Sequence, residues 1–218
     1  MRKKGFILVF AFLTAGSLAA QMSIGAGGYL DGDFGGGSES VGNNNARQTV
    51  TLPYFGGGGF LFFDAKYVEV SFGFFPGSGK YTMEASSIPL TPDISNKTDM
   101  VYTQLSIGAL GKYPFSINKA LSVFPLLGFD YLITMSVKEN GVEILKPEEF
   151  NALWFKLGGG VDLALSSHLY IRLDALYGLR PPTKFETNLT KVEFPGIESS
   201  LVRLGHGPTV KLALGYRF

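Results

Sequence analysis

At 218 residues, with 29 Gly, 19 Phe and 10 Tyr against one Trp and no Cys, the chain has the length of one domain and the composition of strands and turns. A formal net charge of +1 leaves no basic surplus for nucleic acid. The missing thiols exclude disulfides, thiol chemistry and Cys-ligated metal.

Arg2, Lys3 and Lys4 precede an apolar run from Gly5 to Leu13 and then small residues through Ser17 and Ala19, the three-part layout of a secretory signal. Cleavage is expected after Ala19, since a cut after Ala20 would put Leu18 where a small residue is preferred. The run is shorter than the roughly 20 apolar residues a membrane helix needs. With no Cys after it, a lipoprotein anchor is excluded. The predicted division is a signal peptide over 1–19 and one domain over 20–218. The signal carries three of the 19 basic residues and none of the 18 acidic ones, so the remainder has a net charge of about −2.

Beyond the signal, apolar residues recur at every second position, the period of a strand with one greasy and one polar face. The first segment, Met22 to Asp31, sets Met22, Ile24, Ala26 and Leu30 against Ser23, Tyr29 and Asp31. A polar, Gly-rich stretch from Gly32 to Gln48 reads as a long loop. The second segment, Thr49 to Phe63, carries Val50, Leu52, Tyr54, Phe60 and Phe62 in one phase across Gly56–Gly59, which leaves Phe55, Leu61 and Phe63 on the other face; Asp64 to Lys66 reads as a turn. The third sets Val68, Val70, Phe72 and Phe74 against Tyr67, Glu69 and Ser71, and Pro76 to Asp99 is a second long connection.

The fourth segment alternates Val101, Thr103, Leu105, Ile107 and Ala109 with Tyr102, Gln104 and Ser106, and ends in a Pro-, Ser- and Asn-containing turn from Tyr113 to Lys119. The fifth, Ala120 to Lys138, puts Val123, Leu127, Phe129, Tyr131, Ile133, Met135 and Val137 outward and Asp130, Thr134 and Ser136 inward; Glu139 to Asn151 follows as a third long connection. The sixth sets Leu153, Phe155, Leu157, Val161 and Leu163 against Trp154, Lys156 and Asp162, and turns tightly at Ser166 and Ser167. The seventh sets Leu169, Ile171, Leu173, Ala175, Tyr177 and Leu179 against Tyr170, Arg172 and Asp174, before a fourth long connection from Arg180 to about Ser199. The closing segment alternates His206, Pro208, Val210, Leu212, Leu214, Tyr216 and Phe218 with Thr209, Lys211, Ala213 and Arg217.

Eight segments joined by three short turns and four long connections in strict alternation predict an all-β, antiparallel up-and-down barrel of 8 strands preceded by the signal peptide. The polar face bears charge on nearly every strand: Asp31, Glu69, Lys112, Asp130, Lys156, Asp162, Arg172, Asp174, Lys211 and Arg217. In a soluble core each unpaired charge would cost several kcal/mol, whereas in a membrane barrel the polar face is the inside. Lys156, Arg172, Lys211 and Arg217 are expected to pair with Glu69, Asp130, Asp162 and Asp174 in the lumen. Pro125 and Pro208, each lacking a ladder donor, are expected near strand ends or bulges.

The ending Leu212, Leu214, Tyr216, Phe218 resembles the closing strand of bacterial outer-membrane β-barrels. Together with the signal and the eight strands, the whole chain resembles the small outer-membrane barrels of the OmpX, OmpW and OmpA transmembrane-domain type. That resemblance implies residence in the outer membrane of a diderm, Gram-negative-type bacterium. It also implies contact with outer-membrane lipid, and a terminal motif read by the barrel-assembly machinery during insertion.

An eight-stranded barrel is just wide enough for its side chains to fill. The expected function is therefore a non-enzymatic anchor, a monomer whose long extracellular loops meet a partner or surface. A narrow passive channel for small or apolar solutes, as in OmpW-like barrels, is the alternative, with Phe55, Leu61, Phe63, Phe124, Leu126, Leu132 and Leu176 as inward apolar candidates. Neither His168, at a short turn, nor His206, facing lipid, suits catalysis, and no cofactor or metal site is expected. A lysine at lipid-facing Leu212 is expected to destabilise, and one at lumen-facing Thr209 to be milder.

Overall fold

Every predicted alternation becomes a paired strand in the computed structural model, which describes residues 22–41, 46–86, 94–143, 146–185 and 201–218. The signal assigned to 1–19 lies outside the described residues, as do residues 20–21, 42–45, 87–93, 144–145 and 186–200. The strands are β1 (Met22–Val41), β2 (Ala46–Ala65), β3 (Val68–Ser86), β4 (Ile94–Lys112), β5 (Phe115–Ser116), β6 (Leu121–Glu139), β7 (Val142–Glu143), β8 (Ala152–Ala164), β9 (Leu169–Phe185) and β10 (Leu201–Arg217). A 3₁₀ turn, Pro147–Phe150, precedes β8. Among the described residues eight strands are long. They pair antiparallel in the order β4-β3-β2-β1-β10-β9-β8-β6, and β4 joins β6 to close the barrel. No described helix is long and apolar enough to cross a membrane.

The short turns gather at one end and are built from local chemistry. Lys66 takes a left-handed φ of 62° between β2 and β3. Asn118 Oδ1 accepts the amides of Ala120 and Leu121, each at 2.8 Å, and Ser166 Oγ accepts that of Leu169 at 3.0 Å. The start of β1 and the last residue of the chain meet at the same end, where the Phe218 amide donates to the Met22 carbonyl at 3.0 Å.

At the opposite end the strands run on. The Gly-rich stretch read as a loop from Gly32 is strand as far as Val41, paired residue by residue to β2. The second connection is likewise mostly β3 and β4, and β9 continues to Phe185. Pairing uses backbone groups, so a polar, Gly-rich sequence can extend a hairpin whose side chains carry no alternation signal. Asn140 and Gly141, both with positive φ (49° and 84°), turn β6 into β7, the Asn-Gly hairpin preference that had passed as loop.

Six of the eight faces are as the alternation predicted, and β2 is inverted. Tyr54, Phe60 and Phe62 point inward and are buried, whereas Phe55, Leu61 and Phe63 face outward. Both faces of β2 are greasy, so its own pattern cannot choose. Its neighbour does: Phe62 pairs with inward Gly25, and directly opposite residues share a face. Asp64 then falls in phase inside the barrel rather than in the turn, while Tyr67 leaves β3 for the turn and is exposed.

The fifth predicted strand changes face near its end. The register slips so that Thr103 pairs Ser136 but Gln104 pairs Thr134, leaving Met135 as a bulge residue. Val137 consequently turns inward and is fully buried, and Ser136 is half-buried. Pro125 sits one residue beyond the last β4–β6 pair, at a ladder end. Pro208 lies inside β10 but, like Pro125, one residue beyond a stretch of ladder. The β1–β10 ladder stops at Asp31↔Thr209 and resumes at Gly36↔Leu204, an interruption that accommodates a residue with no amide hydrogen.

The outward face is apolar on all eight long strands, with Tyr67, Tyr113, Phe115, Tyr216 and Phe218 around the short-turn end and Phe34, Phe55 and Tyr177 at the other limit. This is the aromatic-girdled band of a lipid-facing barrel. Leu212→Lys, near its middle, should cost about 2–4 kcal/mol of unfolding free energy in lipid vesicles, and His206→Lys, at its edge, about 0–1; equal losses would contradict the placement. At the seam, Gly207→Ala should destabilise by at least about 1–3 kcal/mol because its Cβ would overlap the Gly32 carbonyl. Gly28→Ala, whose Cβ meets nothing nearer than 3.6 Å, should be tolerated in the same titration.

Candidate functional site

Strand pairing brings the inward charges together in layers. Asp162 and Arg172 are directly opposed on β8 and β9, and Asp64 and Glu69 on β2 and β3. Across the lumen these two pairs meet. Arg172 Nε and Nη2 donate to the two oxygens of Asp162 at 2.7 and 2.9 Å, Nη1 to Glu69 at 2.5 Å and Nη2 to Asp64 at 2.6 Å. A planar fork with five donors suits serving three carboxylates at once, one of them bidentately. Lys112 Nζ pairs with Asp64, and Arg217 reaches Asp162 at 3.4 Å. The guanidinium of Arg172 is enclosed by the rings of Phe62, Phe124 and Tyr170 at 4.9–5.3 Å.

A second cluster lies nearer the long-strand end. Lys156 Nζ is 3.0 Å from Asp130 and 3.5 Å from Asp31, and donates to Thr209 Oγ1 at 2.7 Å; the Thr209 hydroxyl donates in turn to Asp31. Thr209 is therefore locked among charges, and a lysine there is no mild change, contrary to the expectation from its facing alone. Above this layer Arg180 pairs with Asp33 at 3.4 Å.

Of the eight predicted network residues, Glu69, Asp162, Arg172 and Arg217 thus lie in the first cluster, and Asp130 and Lys156 in the second. Asp174 and Lys211 are opposed in register but make no ion pair within 4 Å among the described residues. Lys211 Nζ lies 5.3 Å over the Phe60 ring, and neither carboxylate oxygen of Asp174 has a hydrogen-bond partner. Sequence reading missed Asp64, Asp33 and Arg180 because it placed them in a turn and in loops. The correct phase of β2 would have recovered Asp64.

Apolar side chains fill what the charges leave. Phe124, Leu126, Leu132 and Leu176 are buried in the lumen as predicted, but Phe55, Leu61 and Phe63 are replaced there by Tyr54, Phe60 and Phe62. Inward glycines make the room: a Cβ on Gly25, Gly160 or Gly215 would overlap the ring of Phe62, Phe124 or Tyr170. At the short-turn end the lumen opens into a vestibule of about 860 Å³ that includes Lys66, Lys119 and Arg217. At the other end a small gap of about 20 Å³ lies among Tyr54, Tyr102, Gln104, Phe150, Trp154 and Arg180. The packed middle separates the two.

The histidines lie outside this interior. His168 stacks on Tyr216 at 5.6 Å with Nδ1 3.1 Å from the Arg217 carbonyl, and His206 stacks on Tyr177, whose hydroxyl is 2.7 Å from its Nδ1. Among the described residues neither imidazole hydrogen-bonds a serine or carboxylate side chain, and no group of three His, Asp or Glu is placed to hold a metal. Leu212, Leu214, Tyr216 and Phe218 all face outward, with the rings of Tyr216 and Phe218 edge-to-face at 5.6 Å.

The family described as outer membrane protein beta-barrel domain matches residues 8–218. No curated protein matches the chain. Solved structures to which it is similar include the outer membrane protein OprG from Pseudomonas aeruginosa, at 13% identity over 93% of this chain and 98% of that one, with a TM-score of 0.49. The outer membrane protease OmpT from Escherichia coli matches at 6% identity over 93% and 99%, with a TM-score of 0.45. Ail, the attachment invasion locus protein of Yersinia pestis, matches at 16% identity over 92% and 100%, with a TM-score of 0.39.

The charge layers make a differential prediction. Arg172→Met leaves buried Glu69 with no cation and Asp64 and Asp162 with only Lys112 and Arg217, and should cost about 3–5 kcal/mol in equilibrium unfolding from vesicles. Lys211→Met, which breaks no ion pair, should cost less than half as much; equal losses would refute the assigned pairing.

Proposed function

Because the chain belongs to the family of outer membrane β-barrel domains, we propose that it is a non-enzymatic, monomeric anchor in the outer membrane of a Gram-negative-type bacterium, holding extended hairpins outside for contact with a surface or partner. Strand length carries this reading. A tilted membrane strand needs about 9–11 residues, yet β1 and β2 have 20 each and β3, β4 and β6 have 19. All of the excess lies at the end away from the short turns, which in this family is the outside. Paired strands that leave the membrane as stiff ribbons present backbone edges and side chains with little ordering cost on contact.

The filled lumen supports the same reading against the alternative of a passive channel for small or apolar solutes. Any solute would have to part the Arg172 and Lys156 clusters and the rings between them. The outward set Leu212, Leu214, Tyr216 and Phe218 serves, in this proposal, as the signal recognised by the barrel-assembly machinery.

Planar-bilayer recording on the refolded protein should be silent, and steady conductance would favour the channel. Cells displaying the full chain should adhere to a polystyrene surface more than cells displaying a variant with residues 35–52 replaced by a tight turn. Equal adhesion by the two, at equal surface levels, would remove the role given to this ribbon.

A further inference from the structure

The short turns around the vestibule carry cations and no acid. Lys66 stands between β2 and β3 and Lys119 between β4 and β6, while Arg217 ends β10 beside them, and all three line the vestibule. The acidic residues of this end, Asp64, Glu69 and Asp162, are buried and already engaged. Arg172, Lys112 and Arg217 meet them three against three, so that network is balanced without help from the turns.

Lys66 and Lys119 are therefore a surplus of positive charge. Neither makes an ion pair among the described residues: Lys66 Nζ lies 5.2 Å over the Tyr67 ring, and Lys119 is exposed. Arg217 spends its charge on one contact, 3.4 Å to Asp162, and its side chain stays 26% exposed. The neutral polar groups of the same wall can donate as well. Asn118 has its Oδ1 taken by the amides of Ala120 and Leu121, which leaves only its N–H groups free. Ser116 and Ser122 are directly opposed on β5 and β6, so both hydroxyls fall on one face, and both line the vestibule. A concave wall focuses a charge surplus that water and salt would screen at an open surface. At about 860 Å³ the space admits a hydrated solute of many atoms.

We propose that this vestibule binds a compact, water-soluble polyanion of the pyrophosphate kind, held by Lys66, Lys119 and Arg217 with Asn118 and the two serines as neutral donors. Phosphate oxygens suit that mixture of two ammonium groups, one guanidinium fork and hydroxyls. Ser23, Asp64 and Asp162 form the inner wall, so the anion enters from the solvent at the short-turn end and not from the surrounding lipid. The packed middle makes the site a dead end, and the adhesion and conductance experiments therefore bear on the anchor reading alone.

The refolded full chain in uncharged detergent micelles is titrated calorimetrically with pyrophosphate at low salt. Binding should saturate at about one anion per chain and weaken as NaCl is raised, and acetate should give no saturable heat. Lys66→Gln combined with Lys119→Gln, with folding verified by heat-modifiable gel migration, should weaken pyrophosphate about tenfold or more. Lys97→Gln combined with Lys138→Gln removes the same charge from exposed positions at the far end of β4 and β6 and should weaken it about twofold or less. Heat that never saturates, or acetate bound as well as pyrophosphate, would overturn the proposal with the wild-type protein alone. Equal effects of the two pairs of substitutions in folded protein would overturn it as well.

Discussion

Arg172 is the contact on which the lower half of the barrel depends. Its side chain is 1% exposed and holds Asp64, Glu69 and Asp162 simultaneously, so one guanidinium ties β9 to its neighbour β8 and, across the lumen, to β2 and β3. Outside the wall is lipid, where a charge has neither water nor partner, and inside there is no room for bulk water. Most inward charges are therefore met by another, with Asp174 and Lys211 the exceptions among the described residues. Lys156 performs the same service higher up with Asp31, Asp130 and Thr209. Strand register is thereby locked by chemistry as well as by backbone pairing, since a one-residue slip would carry these charges into lipid.

The remaining space is shared between rings and glycines. Large inward aromatics are admitted only where the strand opposite has no side chain, as with Phe62 over Gly25, Phe124 over Gly160 and Tyr170 over Gly215. The high Gly and Phe content is one requirement seen twice. Rings also cover the flat faces of the Arg172 guanidinium, so the charge layers and the apolar layers are a single packed column rather than a polar channel with greasy ends.

Closing the middle leaves chemistry to the two ends. The short-turn end is an open, charged vestibule. The long-strand end combines ribbons that reach beyond the membrane with an aromatic mouth whose rings touch one another. A sealed barrel is suited to presenting groups outside, because its rigid wall fixes where each ribbon and each mouth residue stands.

Alternation alone determined the class, the strand order and the facing of six strands, because a lipid-facing wall forces greasy residues to every second position over long runs. The closing segment from His206 to Phe218 states this most plainly, and its parity holds throughout. Where both faces are apolar or featureless, the sequence is silent. The side of β2 follows from Gly25 beside Phe62, the inward turn of Val137 from a bulge at Met135, and the reach of β1 to Val41 from backbone pairing that leaves no trace in side-chain pattern. The charges were legible as inward, but their partners were not. Which cation meets which carboxylate depends on register across strands distant in sequence, and only closure of the barrel brings Arg172 to Glu69 while leaving Asp174 and Lys211 side by side without an ion pair.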